Sequence, residues 1–273
     1  MEANTKVSVL MSIYVKEKPE YLKAAMDSVL AQTYPIDEIM LIEDGPLTEE
    51  QYALISDYQS KYTNIRTFAF EKNQQLGRAL AKGVELCSNE LVARMDTDDI
   101  AMPDRIEKQV AYMNEHPEVH VLGGAIREFN DEGTTDRVKL MPKTQEEIAE
   151  YVKVRNPLNH MTVMFRRSAI LEVGNYQHFP FLEDYSLWSR MLSKGYQIRN
   201  LDEILVRART SMALVKRRSG WAYYKDFAKL RKFQYELGLL NNFEYVKTSV
   251  GTFVILMLPG SLKALLYKIF LRK

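Results

Sequence analysis

The first hundred residues alternate between short apolar runs and longer stretches of helical periodicity. That alternation restricts the fold more than any other feature of the chain. Residues 6–14 (KVSVLMSIY) are rich in branched side chains and almost continuously apolar, as a strand covered on both faces would be. Pro19 then opens a helix, where its missing N–H costs nothing. Leu22, Ala25, Met26, Val29 and Leu30 follow it along one stripe. Residues 38–44 (EIMLIED) form a second buried strand that ends on acids and Gly45-Pro46. Thr48 with Gln51 makes a capping box for the next helix. Residues 65–70 supply a third strand, a helix carrying Leu80, Val84 and Cys87 follows, and residues 90–95 supply a fourth. Strands and helices in this order make right-handed βαβ units and a mainly parallel sheet. The expected fold class is therefore α/β: a Rossmann-like, mostly parallel central sheet flanked by helices, with a helical C-terminal extension.

Later segments extend the pattern. Pro103 restarts a helix with Ile106, Val110 and Met113 on one face, and residues 119–129 read as a strand that turns at Asp131-Glu132-Gly133. Residues 144–154 read as helix, 159–166 (NHMTVMFR) as strand, 183–194 (EDYSLWSRMLSK) as helix, 211–220 as loop, and the chain from Gly220 as helix again. The expected organisation is one domain over residues 1–210, in two halves (1–100 and 101–210). A basic loop and amphipathic tail over residues 211–273 complete it.

In parallel sheets ligands bind beyond the carboxyl ends of the strands. The polar residues that follow the first, second and fourth strands should then share one crevice. These are Ser12 and Tyr14, then Glu43 and Asp44, then Asp96, Asp98 and Asp99. Three carboxylates in Asp96-Thr97-Asp98-Asp99 repel one another unless something positive sits among them. A divalent cation bridging them to a diphosphate is the economical solution, and hard oxygen ligands suit Mg²⁺ or Mn²⁺. The same letters also describe a solvated acidic turn capping the next helix. Their place after a buried strand is what favours the metal.

Composition and charge narrow the partners. With 273 residues and 46% hydrophobic side chains, a large core is available. One cysteine, Cys87, cannot make an internal disulfide, which fits a reducing compartment. The first residues lack the basic flank and long apolar core of a secretory signal. The longest apolar run in the C-terminal part, residues 253–258, stops at Pro259-Gly260, short of the ~20 residues that span a bilayer. Residues 199–273 carry 15 basic against 5 acidic side chains, a net +10, and the preceding 198 residues carry −9. Residues 263–273 (KALLYKIFLRK) place Leu265, Leu266, Ile269 and Phe270 along one side of a helix among basic residues. That is the pattern of a helix lying on an anionic membrane surface, or of one packed on the protein's own core. No nucleic-acid recognition motif accompanies the charge.

Taken in order, the segments VSVLMSIY, IEDGP, NQQLGRALAKGVE, MDTDDIAMPDRIEKQ, NHMTVMFRRSAILEVGNY and FLEDYSLWSRMLSKGY resemble the family 2 glycosyltransferases of the GT-A fold. The resemblance covers residues 5–220, and Arg209 with the KRRSG segment is similar to enzymes that build capsular and exopolysaccharide repeat units. It implies an inverting, metal-dependent hexosyl- or N-acetylhexosaminyl-transferase. The donor would be a UDP-sugar and the acceptor a hydroxyl of a glycan, lipid-pyrophosphate-linked, at the inner face of the cell membrane. Carried over by position, Ser12 and Tyr14 would hold the base and Asp44 would accept from uracil N3–H. Glu43 stands where the family has a first aspartate. Arg78 would face the diphosphate, or else be an ordinary helix-surface arginine. Asp96 would lie near ribose, Asp98 would ligate the metal, and Asp99 would be structural. Asp184 would be the general base, since adjacent helical residues point about 100° apart and Glu183 cannot aim at the same atom. His160 would touch acceptor or metal. Arg209, Lys216, Arg217 and Arg218 would close over the diphosphate. The rival readings are a non-catalytic nucleotide-sugar-binding subunit and a sugar nucleotidyltransferase. The second would want a glycine-rich phosphate loop after the first strand, where SIYVKEKP has no glycine.

Overall fold

The computed structural model describes residues 5–210 and 220–257. The chain divides into two compact units, Met1–Thr210 and Ser211–Lys273. In the first unit β1 (Val7–Ile13), α1 (Pro19–Leu30), β2 (Glu38–Glu43), α2 (Glu49–Lys61), β3 (Ile65–Ala69), α3 (Leu76–Leu86) and β4 (Leu91–Asp96) follow the expected alternation. Short β5 (Ile100–Ala101), α4 (Arg105–Glu115), β6 (Val119–Phe129), β7 (Asp136–Lys139) and α5 (Gln145–Tyr151) come next. A 3₁₀ turn (His160–Thr162), β8 (Met164–Arg166), α6 (Arg167–Glu172), α7 (Glu183–Ser193) and β9 (Gln197–Arg209) complete the unit.

The strands form one sheet in the order β3-β2-β1-β4-β8-β6-β9-β5, with β7 paired to β6. β3, β2, β1 and β4 are parallel. β8 is antiparallel to both its neighbours, and β6 and β9 run parallel beside it. Alternation along β1 divides the core. Val7, Val9, Met11 and Ile13 pack with α1, α2 and α4 on one face, while Leu10 packs with α3, α6 and α7 on the other. The capping box expected at Thr48 with Gln51 exists, and Thr144 with Glu147 forms a second one.

Two expectations need correction. The strand expected over 159–166 is only β8 at its end. Thr162 Oγ1 donates back to Asn159 O (2.7 Å) and Thr162 N to the same oxygen (2.9 Å), which winds His160–Thr162 into a 3₁₀ turn. The stretch between Gly195 and residue 211, for which the sequence suggested no element, is the long strand β9. Its exposed Asp202 and Glu203 interrupt the apolar alternation, and two register irregularities against β6 fall in that region.

The second unit holds α8 (Gly220–Glu236) and α9 (Asn242–Met257), joined through Gly238 at φ 75°. They pair through Tyr224 with Phe253 (5.2 Å between ring centres) and Tyr235 stacked on Tyr245 (5.1 Å). No helix among the described residues is long and apolar enough to cross a membrane. Lys216, Arg217, Arg218 and the amphipathic segment 263–273 lie outside the described residues.

Candidate active site

The register of β1 brings the expected donor residues together. Ser12 pairs with Asp96 on β4, Ile13 pairs with Glu43 on β2, and Asp44 N donates to Ile13 O (2.8 Å). The ends of three adjacent strands therefore share one rim. Tyr14, half-buried, offers its carbonyl to Gln51 Nε2 (3.1 Å).

Asp44 is 5% exposed and held from the segment before α3. Asn73 Nδ2 donates to its Oδ2 (2.9 Å) and Gln74 N to its Oδ1 (2.6 Å). Burial pushes the Asp44 carboxyl up, opposed by the backbone N–H groups of Gln74 and Gln75. Gly45 makes this close approach possible. It sits at φ 92°, and a Cβ there would lie 2.7 Å from Asn73 N. Glu43 is 7% exposed, and burial raises its carboxyl as well. Arg78 is exposed on the first turn of α3, with one guanidinium nitrogen 3.3 Å from Gln74 Oε1.

At the end of β4, carboxylate oxygens of Asp96, Asp98 and Asp99 all lie within 4.8 Å of one another. Asp96 is held by both terminal nitrogens of Arg94, one at 2.5 Å from Oδ2 and the other on Oδ1. Asp99, 2% exposed, accepts from Arg209 N (2.7 Å) and so anchors β9 to the turn. Burial and the like charges of Asp96 and Glu17 push Asp98 up to about 7. Such a cluster is short of positive charge, and its oxygen donors suit a divalent cation. Glu17 approaches from the loop after β1, accepting from Thr97 Oγ1 (3.3 Å).

Arg209 lies against this turn. Its Nε donates to Asp98 O (3.1 Å), its guanidinium pairs with Asp131, and it stacks over Tyr21 (3.9 Å) and Phe129 (4.7 Å).

The second acidic group comes from the first turn of α7. Asp184 is 9% exposed; its Oδ1 accepts from Tyr185 N (2.7 Å) and its Oδ2 from Asn156 Nδ2 (2.6 Å). Burial and neighbouring Asp184 push Glu183 up to about 7. His160 Nδ1 lies 4.0 Å from Asp184 Oδ2, and its Nε2 is 2.9 Å from Tyr176 OH. Burial and the Arg94 charge hold the imidazole well below its ordinary pKa, so it is neutral. Among the described residues, the acidic cluster able to hold a cation does not include His160.

Sequence reading passed over Arg94, Arg105 and Asn156. Arg94 is a charged residue inside a strand buried on both faces, two residues before the acids, and that anomaly was the available signal. Arg105, also fully buried, donates to Arg94 O (2.7 Å) and to Gln109 Oε1 (3.0 Å), locking α4 to the end of β4. Asn156 carries no letter-level mark at all.

Residues 8–174 match the family described as Glycosyl transferase family 2. The amylovoran biosynthesis glycosyltransferase AmsE of Erwinia amylovora is 41% identical over 84% of this chain and 86% of its own. The UDP-Gal:alpha-D-GlcNAc-diphosphoundecaprenol beta-1,3-galactosyltransferase of Escherichia coli is 34% identical over 98% of this chain and 97% of its own. Among solved structures, S. aureus TarS 1-349 in complex with UDP-GlcNAc superposes with a TM-score of 0.66 at 17% identity, covering 84% of this chain and 66% of that one. That likeness identifies the fold as GT-A. With the matched residues spanning most of the sheet and the acidic cluster at the end of β4, the chain belongs to glycosyl transferase family 2 and is a glycosyltransferase.

Proposed function

We propose that the enzyme moves a hexose or N-acetylhexosamine from a UDP-sugar to a hydroxyl of a lipid-diphosphate-linked glycan, with inversion, in surface polysaccharide synthesis. The observation that carries this is the separation of two acidic groups on one sheet. Asp44, Asp96 and Asp98 sit at the ends of β2 and β4, and Asp184 comes from a helix of the other half. The E. coli relative's name specifies a UDP-sugar donor and a diphosphoundecaprenol-linked acceptor, and the TarS structure holds UDP-GlcNAc.

In this reading Ser12, Tyr14 and Asp44 hold the nucleoside, Asp96 lies near ribose, and Arg78 and Arg209 face the diphosphate. Asp98 would hold the divalent cation, Mn²⁺ or Mg²⁺, which when bound supplies Lewis-acid stabilisation to the diphosphate. Asp184 takes the proton from the acceptor hydroxyl as it attacks the anomeric carbon from the face opposite the leaving diphosphate. Asp184 is preferred to Glu183 because burial and a like charge favour a proton on Glu183, whereas donors from Asn156 and Tyr185 favour the ionised Asp184. His160, neutral and bonded to Tyr176, is placed to support this base from beside it.

Calorimetric titration with UDP is the direct test. Binding is expected to require Mn²⁺ or Mg²⁺, and Asp98→Ala should weaken the metal-dependent component by about 100-fold or more, beyond the 10–100-fold cost of losing an outer-shell partner. Because Asp98 must lose its proton to ligate a cation, the affinity should also fall as pH drops below about 7. Metal-independent binding of equal strength in the variant would refute the assignment.

The second unit supports peripheral attachment to the inner face of the cell membrane. Residues 211–273 carry 12 basic and 3 acidic side chains. Along α9, Phe243, Val246, Val250 and Val254 are 74%, 59%, 56% and 48% exposed on one stripe, while Tyr245 stacks on Tyr235 of α8 and Phe253 meets Tyr224 edge-on. An apolar stripe within so basic a unit suits an anionic bilayer. The protein should sediment with phosphatidylglycerol vesicles and much less with neutral ones. Replacing Val246 and Val250 together by Asp should release it; equal sedimentation of that variant would remove α9 from the membrane contact.

A further inference from the structure

We propose that Asn156 is the positioning residue for the catalytic base, its side-chain amide fixing the direction of the Asp184 carboxylate. This rests on the reading of Asp184 as the base.

The geometry leaves the amide one orientation. Asn156 Oδ1 accepts from Leu158 N (3.3 Å), so its NH₂ faces Asp184 Oδ2 at 2.6 Å. The other oxygen of Asp184 is taken by Tyr185 N (2.7 Å), a contact internal to the helix turn. The two bonds come from different elements and together set both the position and the rotation of the carboxylate plane.

The loop that carries Asn156 is itself clamped. Asn200 Nδ2 on β9 donates to Pro157 O (3.0 Å) and to Pro142 O (2.7 Å), and Asn159 Nδ2 donates to Gly124 O (3.0 Å). Leu158 is 2% exposed and seats directly on β6 at Gly123, where an added Cβ would stand 2.6 Å from Leu158 Cδ2. Gly123 is therefore glycine because the loop lies on the strand itself. From α7, Tyr185 OH reaches Val152 O (2.6 Å), tying the helix of the base to the chain leading into this loop. Base and donor are thus held by one interlocked framework, which is what placing a reacting group to within a fraction of an ångström demands.

The charged and titratable groups around Asp184 do not replace this contact. Glu183 repels it, His160 is neutral at 4.0 Å, Tyr176 points its hydroxyl at His160, and Arg94 has its terminal nitrogens on Asp96.

Asn156→Ala is expected to lower kcat by ~10–100-fold, the loss typical of a slightly misplaced reacting group. The KM values for donor and acceptor should stay within about twofold, and UDP binding should be unchanged, since uniform binding is not what the contact supplies. Losing a donor to the ionised form also raises the carboxyl's pKa, so the acidic limb of the rate profile should move to higher pH. Asn156→Asp keeps the shape but substitutes a like charge, and should be worse than Ala. In an Asp184→Asn background, Asn156→Ala should cost almost nothing further, because its effect passes through Asp184. Wild-type kcat with an unmoved acidic limb would overturn the inference, as would a change confined to the acceptor KM or an equal loss in both backgrounds. An Asp184→Asn enzyme of normal activity would instead overturn the reading of the base.

Discussion

Replacing Asp184 with Asn is expected to reduce sugar transfer by ~10²–10⁴-fold, the range a positioned general base contributes, and to leave UDP affinity unchanged. The change is close to isosteric, so α7, anchored by its own fully buried Trp188, keeps its place. The amide can still accept from Tyr185 N, as the carboxylate oxygen does now. What disappears is the carboxylate lone pair that, in the proposed role, takes the acceptor's proton. Steady-state assay of UDP release together with calorimetry of UDP binding separates the two effects. Glu183→Gln provides the internal contrast. Its carboxyl is pushed up to about 7, so it is a poorer base in this setting, and its replacement should cost much less. If the Gln variant were dead and the Asn variant active, the roles of the two acids would be reversed.

Arg94→Met is expected to destabilise the enzyme by ~3–5 kcal/mol, the cost of leaving a buried charge without its partner. Arg94 is 2% exposed and grips Asp96 with both terminal nitrogens. Its charge also favours ionised Asp98 and Glu183, so it counterbalances both acidic groups. Without it, Asp96, Asp98 and Asp99 face one another in a setting already short of positive charge. Urea unfolding should show the loss in full without metal and a smaller loss with Mn²⁺ present, because binding to the folded state restores stability by mass action. Arg94→Lys should lie between, since a single ammonium cannot reproduce the fork. Unfolding of the Met variant at the wild-type urea midpoint would show that the acids do not depend on Arg94.

The parallel half of the sheet was legible because β1, β2 and β4 are buried on both faces and each connecting helix carries an apolar stripe. The letters of β1, β2 and β4 therefore announce their own boundaries. The acids that end them were legible for the same reason: a carboxylate after a buried run has to emerge at the rim. β9 was not, because its exposed acids Asp202 and Glu203 break the alternation and its partner, β6, lies far back in the chain. Asn156 and Arg94 failed differently. A lone asparagine in RNPLN looks like any loop residue, and its meaning is a 2.6 Å contact to a side chain on another element. Pairing across the fold has no period, so pattern reading passes over it.

The order of the strands has a mechanical consequence. β8, running antiparallel, joins the donor half at β4 to β6, and the backbone ladder is unbroken from β3 to β5. The core on the α7 side is shared as well, with Leu10 and Met40 of the donor half in the same apolar cluster as Leu187 and Met191 behind Asp184. The catalytic platform of residues 5–210 thus has no joint on which two jaws could swing. The span between the acids that end β2 and β4 and Asp184 on α7 is built in when the sheet assembles.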